Sequence, residues 1–231
     1  MRPSGVERKA IRTPLIFFFI AAVFYAAVAY TTGYFSRWIG LILLAMFVLY
    51  ILLCVKDAKS SPAPAEPEEA EGKTAPLAHF IGLLVVGAAL IAVGADLLVD
   101  NGTIIATGLG VPEAVIALTF VALGTSLPEL VTAITALAKG HSDLSLGNVI
   151  GANLFNLVLV SGTASALAPF QIPVSRTVAG VNASLLIDIP VMFCVMLILA
   201  VPALRKEKLY RPQGILLLCI YAAFCVSQFV M

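Results

Sequence analysis

Long apolar stretches separated by short polar segments run through the chain. An α-helix needs about 20 apolar residues to cross the ~30 Å hydrocarbon core of a bilayer. Seven stretches meet that length: residues 14–32, 38–55, 77–99, 114–138, 144–170, 177–204 and 212–231. The pattern predicts an all-α, polytopic membrane helix bundle of about seven spans.

The composition agrees with the pattern. The 231 residues are 61% hydrophobic and only 12% charged, whereas soluble domains are about 45–50% apolar. A lipid bilayer is therefore the expected surroundings of the protein. Nothing in the composition suggests a nucleic-acid partner.

The basic residues predict an orientation. With seven spans, Arg37 and Arg176 fall on one side of the membrane and the other twelve Lys and Arg on the opposite side. The positive-inside rule then places the N-terminus in the cytoplasm and the C-terminus outside. We expect the first span to be an uncleaved anchor and not a signal peptide. A short chain without a large regulatory loop favours a prokaryotic inner membrane.

One segment has the composition of a linker. Residues 57–76 contain four prolines, five acidic residues and no large apolar side chain, which is typical of a solvated segment. This stretch divides the chain into residues 1–56, with two spans, and residues 77–231, with five.

A short internal echo relates these two parts. The sequence RWIGLILL (37–44) opens the second span, and RPQGILLL (211–218) opens the last one. The copies lie five spans apart, an odd number, so they would cross the membrane in opposite directions. This arrangement is typical of the inverted-topology repeats of secondary transporters. Residues 77–231 would then form one complete repeat unit, and residues 1–56 the last two spans of another.

Three carboxylates fall inside the predicted spans: Asp96, Glu129 and Asp188. No lysine or arginine lies within the spans to neutralise them. Such groups are costly in hydrocarbon unless they are protonated, hydrogen-bonded or neutralised by a cation. The site chemistry therefore favours cations or protons. For Asp96 and Asp188 we expect hydrogen-bonded structural roles.

Glu129 has the most informative surroundings. Pro128 cannot donate a backbone hydrogen bond to the carbonyl of Gly124, so we expect the helix to kink or open here. Thr125 and Ser126 lie one helical turn before Glu129. Hydroxyl, carbonyl and carboxylate oxygens are the ligands that hard cations require. The alternative is a proline kink with satisfied polar side chains.

The next span contains a second polar stripe. Asn148, Ala152 and Asn156 follow one another at intervals of four residues, so they share one helix face. Either interhelical hydrogen bonds or cation coordination by Asn156 would explain the amides. The loop at 139–143 is so short that the two spans must be antiparallel neighbours.

These segments together resemble a known family. GTSLPEL (124–130), a KGxxDLxxGN turn (139–148) and GxNxFN (151–156) are similar to an α-repeat of the sodium/calcium exchanger family, in the cation/calcium antiporter superfamily. The chain resembles the fourth to tenth spans of a ten-span exchanger, with its second α-repeat at about 111–162. The implied fold is an incomplete inverted-repeat antiporter.

The resemblance also implies a set of ion ligands. They are the Glu129 carboxylate, the Thr125 and Ser126 hydroxyls, the Ala122 carbonyl and, on the partner helix, Asn156. Two positions depart from the family pattern, because a serine is usual where Ala152 stands and an aspartate is frequent where Asn156 stands. Both departures affect the expected ion stoichiometry and preference.

The implied function is cation antiport by alternating access, exchanging Ca²⁺ for Na⁺ or H⁺. In this family each of two inverted repeats supplies a glutamate, and one glutamate cannot neutralise Ca²⁺. The chain is therefore expected to need a partner that carries the first α-repeat. The alternatives are a relic or membrane scaffold without transport, and an antiparallel homodimer, which the biased charge distribution disfavours.

No enzymatic function is expected. No Ser/His or Cys/His pair lies at membrane depth, and His79 and His141 fall near span ends. Four cysteines lie singly in apolar spans, without a CxxC pair: Cys54, Cys194, Cys219 and Cys225. We expect small packing residues there, with no disulfide, zinc site or cofactor.

Overall fold

A computed structural model describes residues 4–5, 8–60, 77–111, 116, 122–174 and 177–230. Eight α-helices are present in this part of the chain: α1 Arg8–Thr31, α2 Arg37–Ser60, α3 Leu77–Gly108, α4 Ala122–Ala138, α5 Ser142–Phe155, α6 Ser161–Leu167, α7 Ile189–Lys206 and α8 Arg211–Val230. Two π-helical segments, Asn156–Val160 and Ser184–Asp188, join α5 to α6 and lead into α7. The chain is thus almost entirely helical where it is described.

Five helical segments are long and apolar enough to cross a membrane: Ile11–Thr31, Arg37–Asp57, Ala78–Gly108, Leu144–Leu167 and Ser184–Lys206. A shorter apolar helix covers Arg211–Ser227. The predicted span at 114–138 corresponds to α4, whose 17 residues are its described part. The multi-pass helical bundle is confirmed, and the count of seven spans stays a prediction. Most of the predicted linker, residues 61–76, lies outside the described residues.

Three pairs of two-residue antiparallel strands connect the helices. β1 (Ser4–Gly5) pairs with β6 (Lys208–Leu209), β2 (Tyr34–Phe35) with β3 (Phe170–Gln171), and β4 (Thr177–Val178) with β5 (Val181–Asn182).

The β4–β5 hairpin corrects one predicted boundary. The span expected at 177–204 begins in this hairpin, and helical geometry starts only at Ala183. Gly180 takes a φ of +79° in the turn, a conformation that glycine adopts at no steric cost. Asn182 Oδ1 accepts the backbone N–H of Ser184 at 2.9 Å, which satisfies one of the amides left open at a helix start.

The chain divides into two compact units, one formed by Met1–Cys54 with Thr132–Met231 and the other by Val55–Val131. In the first unit, one face of α1 carries four buried residues at helical spacing. They are Ile11, Leu15, Phe18 and Ala22, and each is at most 1% exposed. This stripe packs in one cluster with buried residues of α5 and α7: Leu146, Ile150, Leu154, Met196, Ala200 and Ala203. Apolar spacing of this kind directs one helix face into the bundle.

The α2 and α6 helices approach each other closely in the same unit. A Cβ atom built on Gly40 would lie 2.5 Å from the backbone nitrogen of Ala166 and 2.6 Å from the carbonyl oxygen of Gly162. Both distances are shorter than any van der Waals contact, so only glycine fits at position 40. Small residues that let backbones touch are a common basis of helix packing in membranes.

Gln213 joins α7 to α8. Pro202 lies inside α7 and has no N–H to offer the carbonyl four residues back, that of Ile198. Gln213 Nε2 donates to this carbonyl at 2.8 Å and to the Leu199 carbonyl at 3.3 Å. Its Oε1 accepts the Tyr210 amide at 3.4 Å, as the third residue of a helix does in a capping box. One side chain thus satisfies the backbone of two helices.

Candidate cation site

The α4 helix carries four of the five predicted ligand residues. Ala122, Thr125, Ser126 and Glu129 all lie within its first eight residues. Ala122, Thr125 and Ser126 are exposed, and Glu129 is half-buried. The structure therefore brings a carboxylate, two hydroxyls and a backbone carbonyl onto one helical segment, as the sequence predicts.

The helix does not open at Pro128. Helical geometry continues from Ala122 to Ala138 through the proline, so the helix does not open here, and the alternative of a kink stays a prediction. The proline removes the donor to a single carbonyl, that of Gly124, while the other turns keep their hydrogen bonds. Only one carbonyl oxygen, that of Gly124, therefore loses its helical donor, because the helix has no broken segment here.

Thr125 is oriented by its own helix. Its Oγ1 donates to the Ala122 carbonyl at 3.1 Å. Since a hydroxyl has one proton and two lone pairs, this bond uses the proton and leaves lone pairs on Oγ1 that a cation could use. Two of the predicted oxygen ligands are thus adjacent in space.

Gly124, beside these residues, is a point of close contact between α3 and α4. It is buried, and a Cβ built on it would collide with Cγ2 of Val99. The Ala95 carbonyl lies 3.5 Å from the same position. The glycine that opens the GTS motif is therefore required for α3 to cross α4 next to the predicted ligand residues.

A tight turn reverses the chain after α4. Gly140 has a φ of +85°, and the amide of His141 reaches the Ala136 carbonyl at 2.8 Å, as in a Schellman motif. The α5 helix begins at Ser142. Asn148 Nδ2 then donates to Thr132 Oγ1 at 2.9 Å across the two helices. This bond joins the two helices next to the turn, and their antiparallel pairing along the whole length stays a prediction.

The amides on α5 divide into two kinds. Asn148 makes an interhelical hydrogen bond, which is one of the two explanations that the sequence offers for these amides. Asn153 Nδ2 donates within its own helix to the Val149 carbonyl at 2.8 Å. Asn156 is exposed and begins the π-helical segment. It belongs to the first compact unit, whereas the other four predicted ligands belong to the second.

The π segment is a feature that the sequence analysis missed. The Asn156 carbonyl accepts the backbone N–H of Ser161 and the Ser161 hydroxyl at 3.1 Å. Short π-helical turns within α-helices occur frequently at functional sites. The sequence signal for the π segment is the serine five residues after Asn156, and this signal is weak.

No group of three or more His, Cys, Asp or Glu side chains that could hold a metal ion occurs among the described residues. The four cysteines are free thiols. The oxygen ligands on α4 therefore include a single carboxylate, which provides one negative charge.

Comparisons with known proteins agree with the sequence motifs. The family model described as sodium/calcium exchanger protein matches residues 79–230. The chain is 35% identical over 178 residues to the inner membrane protein YrbG of Escherichia coli strain K12, covering 74% of this chain and 54% of that protein. It is 36% identical over 152 residues to the sodium/calcium exchanger MaX1 of Methanosarcina acetivorans, covering 66% of this chain and 41% of that protein.

A solved structure shows the same fold. The sodium-calcium exchanger NCX_Mj matches with a TM-score of 0.71 at 28% sequence identity, covering 97% of this chain and 68% of that chain. This chain spans roughly half of the curated relatives it matches, from 41% to 66% of their lengths. It is an integral multi-pass membrane protein, and the family is one of exchangers, which are transporters and not enzymes. The chain belongs to the sodium/calcium exchanger protein family.

Proposed function

We propose that the chain is the second-repeat part of a cation antiporter that exchanges Ca²⁺ for Na⁺ or H⁺ by alternating access. The transported ion would bind at Glu129 in the middle of the membrane. The observation that carries the proposal is the hydrogen bond from the Thr125 hydroxyl to the Ala122 carbonyl on α4, the same helix that carries Glu129 one turn later; these residues form the predicted cluster. This cluster lies within the part of the chain that the family model matches.

The chemistry of the cluster suits a hard cation. Ca²⁺ takes six to eight oxygen ligands, often carboxylates, carbonyls and waters. The predicted ligands of α4 supply oxygen only, and the Thr125 proton is already directed to Ala122. A cation would also remove the cost of placing the Glu129 charge at membrane depth. The ions are cargo, and the proposal includes no cofactor.

Charge balance favours a second contributor. Glu129 provides one negative charge, so a Ca²⁺ ion bound there would keep a net positive charge. In inverted-repeat transporters the ion site lies near the bilayer midplane at the interface of the repeats. We therefore propose that a segment carrying the first α-repeat supplies a second carboxylate, together with further ligands. The lengths of the relatives, which this chain covers only in part, support this view.

The orientation belongs to the same proposal. The N-terminus would lie in the cytoplasm of a prokaryotic cell and the C-terminus outside, since twelve of the fourteen basic residues then fall on the inner side. Asn156 would contribute its side-chain oxygen from the helix that follows α4. With an amide in place of a carboxylate, it would add a ligand without adding charge.

The test is ion flux in vesicles. The purified chain is reconstituted alone and together with a first-repeat fragment, and ⁴⁵Ca²⁺ uptake is measured with a sodium gradient, with a proton gradient and with neither. We expect gradient-dependent uptake when both parts are present. Absence of uptake from both preparations, with protein shown to be folded, would leave a membrane scaffold or relic as the better account. Equal uptake by the chain alone would favour the antiparallel homodimer.

A further inference from the structure

The two copies of the internal echo have the same local architecture. In the first copy, β2 is followed by the single residue Ser36 and then by α2, which begins at Arg37. In the second copy, β6 is followed by the single residue Tyr210 and then by α8, which begins at Arg211. The echo is therefore a structural repeat of strand, one-residue link and helix, and both copies lie in the same compact unit.

The first copy shows what its helix face binds. β2 pairs with β3, which begins three residues after the end of α6. This pairing brings α6 to the start of α2, where Gly40 is buried against the backbones of Gly162 and Ala166. The Leu43 Cβ and the Leu44 Cγ each lie 3.1 Å from the Cβ position of Gly162. A glycine and two leucines thus form a seat for a helix with small residues four positions apart.

The second copy has the same strand arrangement, but the matching face of its helix is exposed. β6 pairs with β1, so β1 occupies the place that β3 has in the first copy. The positions that match Gly40, Leu43 and Leu44 are Gly214, Leu217 and Leu218. Gly214 is exposed, none of the described residues lies within 4 Å of its Cβ position, and Leu218 is 69% exposed. The matching Gly40 and Leu43 are buried.

We propose that Gly214, Leu217 and Leu218, here named the α8 seat, bind a helix of the first repeat. This inference rests on the partner in the proposed function and identifies where that partner docks. The occupant is the helix that would precede β1 as α6 precedes β3, with small residues four positions apart facing Gly214. It is an apolar transmembrane segment, and it is either continuous with β1 or carried on a separate chain.

Two physical arguments support a helix as the occupant. A glycine inside a helix destabilises it relative to alanine, and close backbone approach by a partner gives that glycine a role. In lipid there is no hydrophobic force between helices, so association depends on tight packing at small residues. The Gly40 contact shows that this sequence pattern achieves such packing in the same molecule.

The experiment is co-purification from membranes. The full chain carries an affinity tag. It is co-expressed with a fragment of the Methanocaldococcus jannaschii protein MJ0091, which is 33% identical to this chain over 95% of its length. The fragment is the part of MJ0091 to which this chain has no matching residues. Three forms of the chain are compared: unaltered, Gly214→Phe, and the control Ala223→Phe. Ala223 is also exposed on α8 and lies nine residues, about two and a half turns, from Gly214, on the opposite side of the helix.

We expect the unaltered chain and Ala223→Phe to retain the fragment equally. Gly214→Phe should lose it by at least about tenfold, because a phenyl ring cannot fit where two backbones meet. Thermal unfolding of Gly214→Phe alone should match the unaltered chain, since its surroundings are open. Gly214→Ala, which adds one methyl group, should give an intermediate loss.

Equal retention by Gly214→Phe and Ala223→Phe would overturn the α8 seat, as would failure of the unaltered chain to retain the fragment. Calcium uptake by the same complexes gives a separate result. Uptake that survives Gly214→Phe would leave the proposed function standing and remove the seat. A complex that forms through Gly214 but transports nothing would support the seat and contradict the transport proposal.

Discussion

Gln213 should stabilise the protein mainly because Pro202 is present. The proline leaves the Ile198 carbonyl without its helical donor, and Gln213 Nε2 replaces that donor at 2.8 Å. Replacing Gln213 with methionine keeps the length of the side chain and removes both the donor and the acceptor. The Ile198 carbonyl and the Tyr210 amide would then each lose a partner.

The expected magnitude follows from these bonds. Side-chain hydrogen bonds in membrane proteins average about 0.6 kcal/mol and reach about 1.7 kcal/mol. The contact to the Tyr210 amide is long, at 3.4 Å, and adds at most a few tenths of a kcal/mol to the free energy of unfolding. Gln213→Met should therefore lower the free energy of unfolding by about 1–2 kcal/mol.

A double-mutant cycle with Pro202→Ala isolates the cause. The substitution restores an N–H that can reach the Ile198 carbonyl, so in that background Gln213→Met should cost less, by about 0.5–1 kcal/mol. The free energies are measured by reversible unfolding in mixed detergent micelles. A Gln213→Met effect that is the same in the unaltered chain and in the Pro202→Ala variant would show that Gln213 does not act by replacing the donor that Pro202 lacks.

Three further predictions follow from close contacts elsewhere. Gly40→Leu should destabilise the first unit by at least about 2 kcal/mol, since its Cβ would lie 2.5 Å from Ala166 N; an unchanged melting temperature would contradict the α2–α6 contact. Gly124→Val should separate α3 from α4 and increase protease cleavage within 77–131, whereas cleavage equal to the unaltered chain would show that the contact with Val99 is dispensable. Asn148→Leu and Thr132→Val should be non-additive, with a coupling of about 0.5–1.5 kcal/mol across the 2.9 Å bond, and additive effects in chemical unfolding would argue against that bond.

The helical bundle and the α4 helix could be predicted because their signals are local. Runs of about 20 apolar residues define membrane helices by length alone. The turn after α4 was equally predictable, since Gly140 supplies the positive φ that a helix terminus uses and the loop is short. Thr125 and Glu129 lie one turn apart on α4, as their spacing predicts, and their role as cation ligands stays a prediction.

The features that were missed depend on geometry that leaves little trace in the sequence. The π segment beginning at Asn156 changes only which carbonyl each amide reaches, and Leu157 to Val160 would fit an α-helix as well. The β4–β5 hairpin is apolar enough to resemble a span, and its turn depends on Gly180. Proline breaks helices in general, but α4 continues through Pro128 because a single carbonyl loses its donor.

The assignment of the transported ion to Glu129 is tested by ⁴⁵Ca²⁺ uptake driven by a sodium or proton gradient, compared between Glu129→Gln and Asp96→Asn. Both variants neutralise one carboxylate within a membrane helix, but Asp96 lies on α3 and is not one of the predicted ligands. We expect Glu129→Gln to abolish gradient-dependent uptake in the complex with the first-repeat segment, and Asp96→Asn to retain it. Full uptake by Glu129→Gln would contradict the assignment of the ion site to α4.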